Sequence, residues 1–143
     1  MTTSKELRIA TLGLFRECSP AEVRWIAGVA DEVDLPAGRQ LAREGATSRE
    51  FVVLEDGTAI GRDGGADVIL GPGSFFGELG VLDGAKNTHT ISTRTPARLL
   101  VFESRAFRSL IQQVPSVAIK LLTEMADVMR DSDQTELSLR AVS

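Results

Sequence analysis

The sequence predicts a mainly β fold, a barrel or jelly roll of short strands bracketed by helices, on three observations. Hydrophobic periodicity is helical up to about residue 30, alternating from Asp31, and helical again from Glu103. The apolar runs between those limits are short, regularly spaced and bounded by turn residues. Nine of the thirteen glycines fall between Gly57 and Gly84, where the chain must turn tightly or let its backbone approach something closely. With 143 residues and 15.4 kDa the chain has the length of one domain. Its expected parts are N-terminal helices over 4–30, a β-barrel over 31–102 and C-terminal helices over 103–131.

The N-terminal helices begin with Leu7, Leu12, Leu14 and Phe15 at mixed spacing. A second start follows at Ser19-Pro20-Ala21-Glu22. Ser19 can cap, Pro20 suits the first helical position, Glu22 can close a capping box, and Val23, Ile26 and Val29 follow on one face. Trp25 is expected to lie against the barrel. Strands are expected around Val33 and Leu35, at Leu41, and at Phe51-Val52-Val53-Leu54, with turns at Pro36-Ala37-Gly38 and Asp56-Gly57. Two further strands, His89 to Arg94 and Ala97 to Phe102, are separated by Pro96. In the last helix Ala118, Leu121, Met125 and Val128 make an apolar stripe that Ile119, Leu122 and Met129 widen. This stripe suits packing on the barrel, on a partner helix, or both. Beyond Asp131 the chain is polar, and its end is expected to fray.

Composition excludes several function classes. A hydrophobic content of 43% and a charged content of 25% describe a globular chain. A net charge of −4 and a pI near 5.0 give no general attraction to nucleic acid or anionic lipid. Cys18 is the only cysteine and His89 the only histidine, so there is neither an intrachain disulfide nor a zinc-type ligand cluster, and no metal is expected. No signal-peptide pattern or run near the roughly 20 apolar residues of a membrane span is present, so a cytoplasmic protein is expected. No nucleophile elbow or Cys–His constellation appears, which argues against an enzyme. Gly71, Gly73 and Gly77 miss the dinucleotide-binding spacing by one residue. Cys18, beside an apolar cluster, reads as inert.

The informative stretch is Gly71-Pro72-Gly73-Ser74-Phe75-Phe76-Gly77-Glu78-Leu79-Gly80, followed by a loop and by Thr88-His89-Thr90-Ile91. A strand over Val68 to Leu70 ends in a glycine-rich turn, Phe75 and Phe76 anchor it, and a short helix starts at Gly77 with unpaired backbone N–H groups that suit an anion.

Gly-x-Phe-Phe-Gly-Glu-Leu-Gly, then a loop and Thr-x-Thr-Ile, resembles the phosphate-binding cassette of the cyclic-nucleotide-binding domain family, typified by the catabolite activator protein and the protein kinase A regulatory subunits. The resemblance covers roughly residues 10 to 130, taking in Leu14-Phe15, the Pro36-Ala37-Gly38 turn, Phe51-Val52-Val53-Leu54 and Leu99 to Phe102 leading into Phe107. It implies an eight-stranded antiparallel jelly-roll barrel with flanking helices. It assigns ligand contacts to the Gly77 and Leu79 backbone and places the Glu78 carboxylate on a ribose 2′-hydroxyl, with Thr88 meeting the phosphate. The ligand implied is cAMP or cGMP.

Nine residues after the glutamate the family carries an arginine that holds the cyclic phosphate, and here Asn87 stands. A neutral amide replaces two charge-assisted bonds, a loss of about 10- to 1000-fold in affinity. Lys86 reads as a solvated loop lysine, because neighbours on an extended segment point to opposite faces, and Arg94 as a barrel-exterior residue. His89 beside the site could donate to a phosphate when protonated.

The expected function is a stand-alone cyclic-nucleotide sensor acting through an unidentified protein partner or through a homodimer of the C-terminal helix. The alternatives are a degenerate interaction module and a domain for a different ligand. A chain ending soon after Arg130 leaves no room for the helix-turn-helix module of many bacterial relatives, so direct DNA binding is not expected.

Overall fold

In the computed structural model, residues 2–142 are described, with the side chains of Val128, Met129 and 131–142 excepted. Two helices lead the chain: α1 (Ser4–Thr11) and α2 (Pro20–Val29), with a short 3₁₀ turn at Gly13–Phe15 between them. Both start with a closed capping box, Thr3 with Glu6 and Ser19 with Glu22, so each satisfies the otherwise orphaned first N–H groups. The second box is the one legible in the sequence.

Eight strands follow: β1 (Asp31–Leu35), β2 (Gln40–Ala42), β3 (Glu50–Asp56), β4 (Ala59–Arg62), β5 (Val68–Leu70), β6 (Phe75–Phe76), β7 (Thr90–Thr93) and β8 (Ala97–Glu103). They form two four-stranded antiparallel sheets, ordered β1-β8-β3-β6 and β2-β7-β4-β5. This is the expected eight-stranded jelly roll. A short helix, α3 (Glu78–Asp83), interrupts the strands after β6, and α4 (Ser104–Gln113) and α5 (Pro115–Val142) complete the chain.

The central strands β3 and β8 explain why the apolar runs do not simply alternate. Side chains alternate across a strand, and here both faces are buried. Phe51 and Val53 of β3, with Leu100 and Phe102 of β8, face the helices, whereas Val52, Leu54 and Leu99 face the barrel interior. On the helical side the aromatic rings cluster, with Phe51 and Phe107 stacked and the other pairs tilted. Phe51 lies 4.3 Å from Phe107 of α4, centroid to centroid, and 5.8 Å from Phe102. Trp25 packs on the same cluster as expected, and so does half-buried Cys18, whose thiol pKa is pushed up by burial.

The C-terminal helix departs from the sequence reading at its end. It continues to Val142 where a stop near 131 and a frayed tail were expected, because no glycine or proline follows Pro115 to break it. Val117 and Leu121 bury the first turns against the core, while Ile119 and Leu122 remain 61% and 64% exposed. The Val128 and Met129 side chains of the expected stripe lie outside the described residues. Among the described residues no helix is long and apolar enough to cross a membrane.

Candidate functional site

The chain reaches the site through β6, which pairs with β3 and sets Phe75 opposite Val53 and Phe76 opposite Val52. Phe75 joins the helical core and Phe76 the barrel core. With both rings held, the backbone turns at Gly77, whose φ of +96° is open to glycine and strained for other residues. A Cβ there would also collide with the Glu50 carbonyl oxygen, and one on Gly80 would lie 2.6 Å from the Ser48 carbonyl. Two glycines thus let α3 sit directly on the backbone at the start of β3. The far end of α3 is tied down by Arg108 of α4, which donates to the Val81 carbonyl at 2.8 Å.

Beneath this segment lies a cavity of about 290 Å³, lined by Gly61, Val68, Leu70, Phe75 to Gly80, Ala85 to His89 and Ile91. All five residues singled out from the sequence, Gly77, Glu78, Leu79, Asn87 and Thr88, are in its wall. Glu78 is the most exacting of them. Its Oε2 is buried without any hydrogen-bond partner, and burial, followed at a distance by Glu124, raises its pKa above the usual carboxylate range.

Asn87 is committed to the protein. Its Oδ1 accepts from the Ser48 hydroxyl at 2.8 Å and its Nδ2 donates to the Arg43 carbonyl at 3.1 Å. Its backbone is paired as well, its N–H donating to the Ala46 carbonyl at 2.8 Å and its carbonyl accepting from Gly45 at 2.9 Å. Asn87 therefore fastens the β2–β3 loop to the cassette loop. With Phe76 it also lines a second recess of about 240 Å³ bordered by that loop.

Lys86 is exposed as expected, yet it lines the cavity together with both of its neighbours. Lys86 is held in an isolated bridge with Thr47, and the chain bends at 88 and 89 before β7. Arg94 is exposed and outside the cavity wall, as read. Thr88 Oγ1 and His89 Nδ1 are hydrogen-bonded at 2.9 Å, the donor set by the state of the ring, and His89 Nε2 lies 3.4 Å from Asp63. The Asp63 and Ser48 partnerships were missed in the sequence. Both lie in polar turns, which carry no hydrophobic period to mark them.

Among the described residues no group of His, Cys, Asp or Glu is arranged to hold a metal. The arrangement is a binding pocket: a glycine-rich wall, a buried carboxylate needing a donor, an apolar floor, and hydroxyl and imidazole groups on one side.

The model of the cyclic nucleotide-binding domain matches residues 32–114. The chain is 29% identical over 128 residues to a CRP-like cAMP-activated global transcriptional regulator of Mycobacterium tuberculosis, covering 85% of this chain and 57% of that protein. It is 32% identical over 111 residues to a cyclic nucleotide-gated potassium channel of Mesorhizobium japonicum, covering 77% of this chain and 31% of the channel. The catabolite activator protein of Thermus thermophilus superposes with a TM-score of 0.77 at 26% identity, over 90% of this chain and 62% of that one. The chain thus spans little more than half of the regulator and a third of the channel. The match takes in the barrel strands, the glycine-rich segment and α4, and on it the chain belongs to the cyclic nucleotide-binding domain family.

Proposed function

We propose that the chain is a regulatory cyclic-nucleotide-binding domain of the cytoplasm, without catalysis of its own, that takes cAMP or cGMP in the cavity beneath Gly77 to Gly80. One observation carries this reading: the Glu78 carboxylate lines the cavity with an oxygen buried and unpartnered. Burying such a group costs free energy unless a donor meets it. A sugar hydroxyl is the donor that fits, and Gly77 and Leu79 beside it supply backbone for the rest of the ligand.

The response is proposed to leave through α4 and α5. Arg108 joins α3 to α4, Val114 alone separates α4 from α5, and α5 presents Ile119 and Leu122 to solvent. Self-association through this face or a protein partner would carry the output.

A second reading is favoured by Asn87, whose amide is already occupied by Ser48 and Arg43. On that reading the barrel is an interaction module with no cyclic-nucleotide affinity, or one for another ligand. Calorimetric titration of cAMP and cGMP into the native chain and into Glu78→Gln separates the two. Saturable binding that weakens at least tenfold in Glu78→Gln supports the sensor. No binding of either nucleotide to the native chain would overturn it.

A further inference from the structure

We propose that Thr88, His89 and Asp63 form a proton-linked relay that serves the phosphodiester side of the cavity, with an imidazolium in place of a guanidinium. The proposal rests on the nucleotide reading of the cavity and goes beyond it in assigning the anion-recognising group and a dependence on pH.

The geometry is specific. His89 lines the cavity on the same side as Thr88, with its side chain 31% exposed. One ring nitrogen, Nε2, faces Asp63 at 3.4 Å, and the other, Nδ1, faces the Thr88 hydroxyl at 2.9 Å. Asp63 is itself fixed, because its other oxygen accepts the Gly65 N–H at 2.9 Å within the β4–β5 turn. The ring lies over Gly61 of β4, where a Cβ would meet it at an ordinary contact distance of 3.6 Å. The other charged residues lining the cavity are Lys86 from its own segment and Glu78 from α3. Arg62 of β4 is turned to Asp67.

Each protonation state gives Thr88 a different face. In the neutral ring Nε2–H points to Asp63 and Nδ1 accepts the Thr88 O–H. The only hydroxyl proton of Thr88 is then spent on the ring, and its lone pairs are left for the cavity, which repels an anion. In the imidazolium both nitrogens donate. Nδ1–H then donates to the Thr88 oxygen, and the hydroxyl proton is freed for an acceptor in the cavity. One proton therefore reverses the polarity of Thr88 and adds a positive charge beside it, and imidazole is the side chain that makes this change between pH 5 and 8. A phosphodiester keeps one negative charge throughout that range. By linkage, an anionic ligand that prefers the imidazolium must raise the proton affinity of His89 by the factor by which acid tightens its binding.

His89 is the sole histidine of the chain, so in an untagged protein its ring resonances are the only ones of their kind and NMR can follow them directly. The imidazole titration is recorded with and without saturating cAMP, and cAMP binding is measured calorimetrically at pH 6.0 and 8.0. The expected result is a titration midpoint raised by cAMP, and binding tighter at pH 6.0 by about fivefold, the difference between a neutral and a charge-assisted bond. In His89→Gln the ratio of the affinities at the two pH values should fall by about the same fivefold. Equal affinity at both pH values with an unmoved midpoint, or a pH dependence undiminished in His89→Gln, overturns the relay and leaves the nucleotide reading standing. Absence of cAMP and cGMP binding to the native chain at both pH values overturns both.

Discussion

The Ser48 hydroxyl donates to Asn87 Oδ1 at 2.8 Å, so the Asn87 side chain holds the β2–β3 loop. The Asn87→Arg variant is expected to exchange this role for ligand contact. A guanidinium at this point of the cavity wall should raise cyclic-nucleotide affinity by about 10- to 1000-fold, and loss of the bonds to Ser48 and Arg43 should cost about 1–2 kcal/mol of stability in the free protein. Calorimetry and thermal melts of the same sample check both. No gain in affinity would show that position 87 does not reach the phosphate.

Glu78→Gln should separate stability from binding. Burial raises the folded-state pKa of Glu78 above its unfolded value. The folded state therefore holds this proton more tightly, and stability from this group is complete in acid and declines as pH rises through the folded pKa. Replacing the carboxylate removes that decline. The variant should melt higher than the native chain at pH 7.5, by roughly 2–4 °C for each kcal/mol relieved in a chain of this size, while binding cyclic nucleotide more weakly.

A second carboxylate shapes the pH dependence far from the cavity. Burial, reinforced by the neighbouring Glu32, pushes Glu55 up to about 7. The hydrogen bonds from Arg8 hold Glu32 down at about 2. Both Glu55 oxygens are buried without a partner. Stability from Glu32 is present above its unfolded pKa near 4.5 and is lost as pH falls toward 2. That from Glu55 is present below 4.5 and is lost as pH rises through 7. The melting temperature should thus peak on the acid side of neutrality. In Glu55→Gln the fall between pH 5 and 8 should be shallower, which differential scanning calorimetry across that range will show.

Gly77→Ala and Gly84→Ala form a controlled pair. Both glycines have positive φ, +96° and +70°, but a Cβ on Gly84 meets nothing within 4 Å, whereas one on Gly77 meets the Glu50 carbonyl. Gly84→Ala should cost about 1 kcal/mol of backbone strain, and Gly77→Ala about 2 kcal/mol or more. Urea denaturation gives both values. Equal costs would mean that α3 can shift away from β3 at no expense.

Particular residues show how much of this was legible in the sequence. The run Phe51 to Leu54 identifies β3, Ser19-Pro20-Ala21-Glu22 identifies the start of α2, and Gly73 to Gly80 identifies the pocket wall, because each pattern is set by local geometry. Asn87 with Ser48 and His89 with Asp63 join positions 39 and 26 residues apart. Polar residues in turns have no period, so nothing local announces such pairs. Lys86 is exposed as its loop position implies, and residues 85–89 all reach the cavity wall. The end of α5 was misjudged because polarity was given more weight than the absence of helix breakers.

The two apolar clusters described above differ in a way that bears on how a ligand would be noticed. The helical side of β3 and β8 is filled by clustered phenylalanines, while the barrel side relies on smaller residues such as Ala42, Ala59 and Ala97. The barrel side borders the cavity through Leu70, Phe76 and Ile91, and the helical side through Phe75. Whatever molecule seats there finishes an interior the chain leaves incomplete, and the native state gains by mass action in proportion to the logarithm of its concentration. Resistance to heat is then a direct assay for the natural ligand, usable on a panel of metabolites before any partner is known.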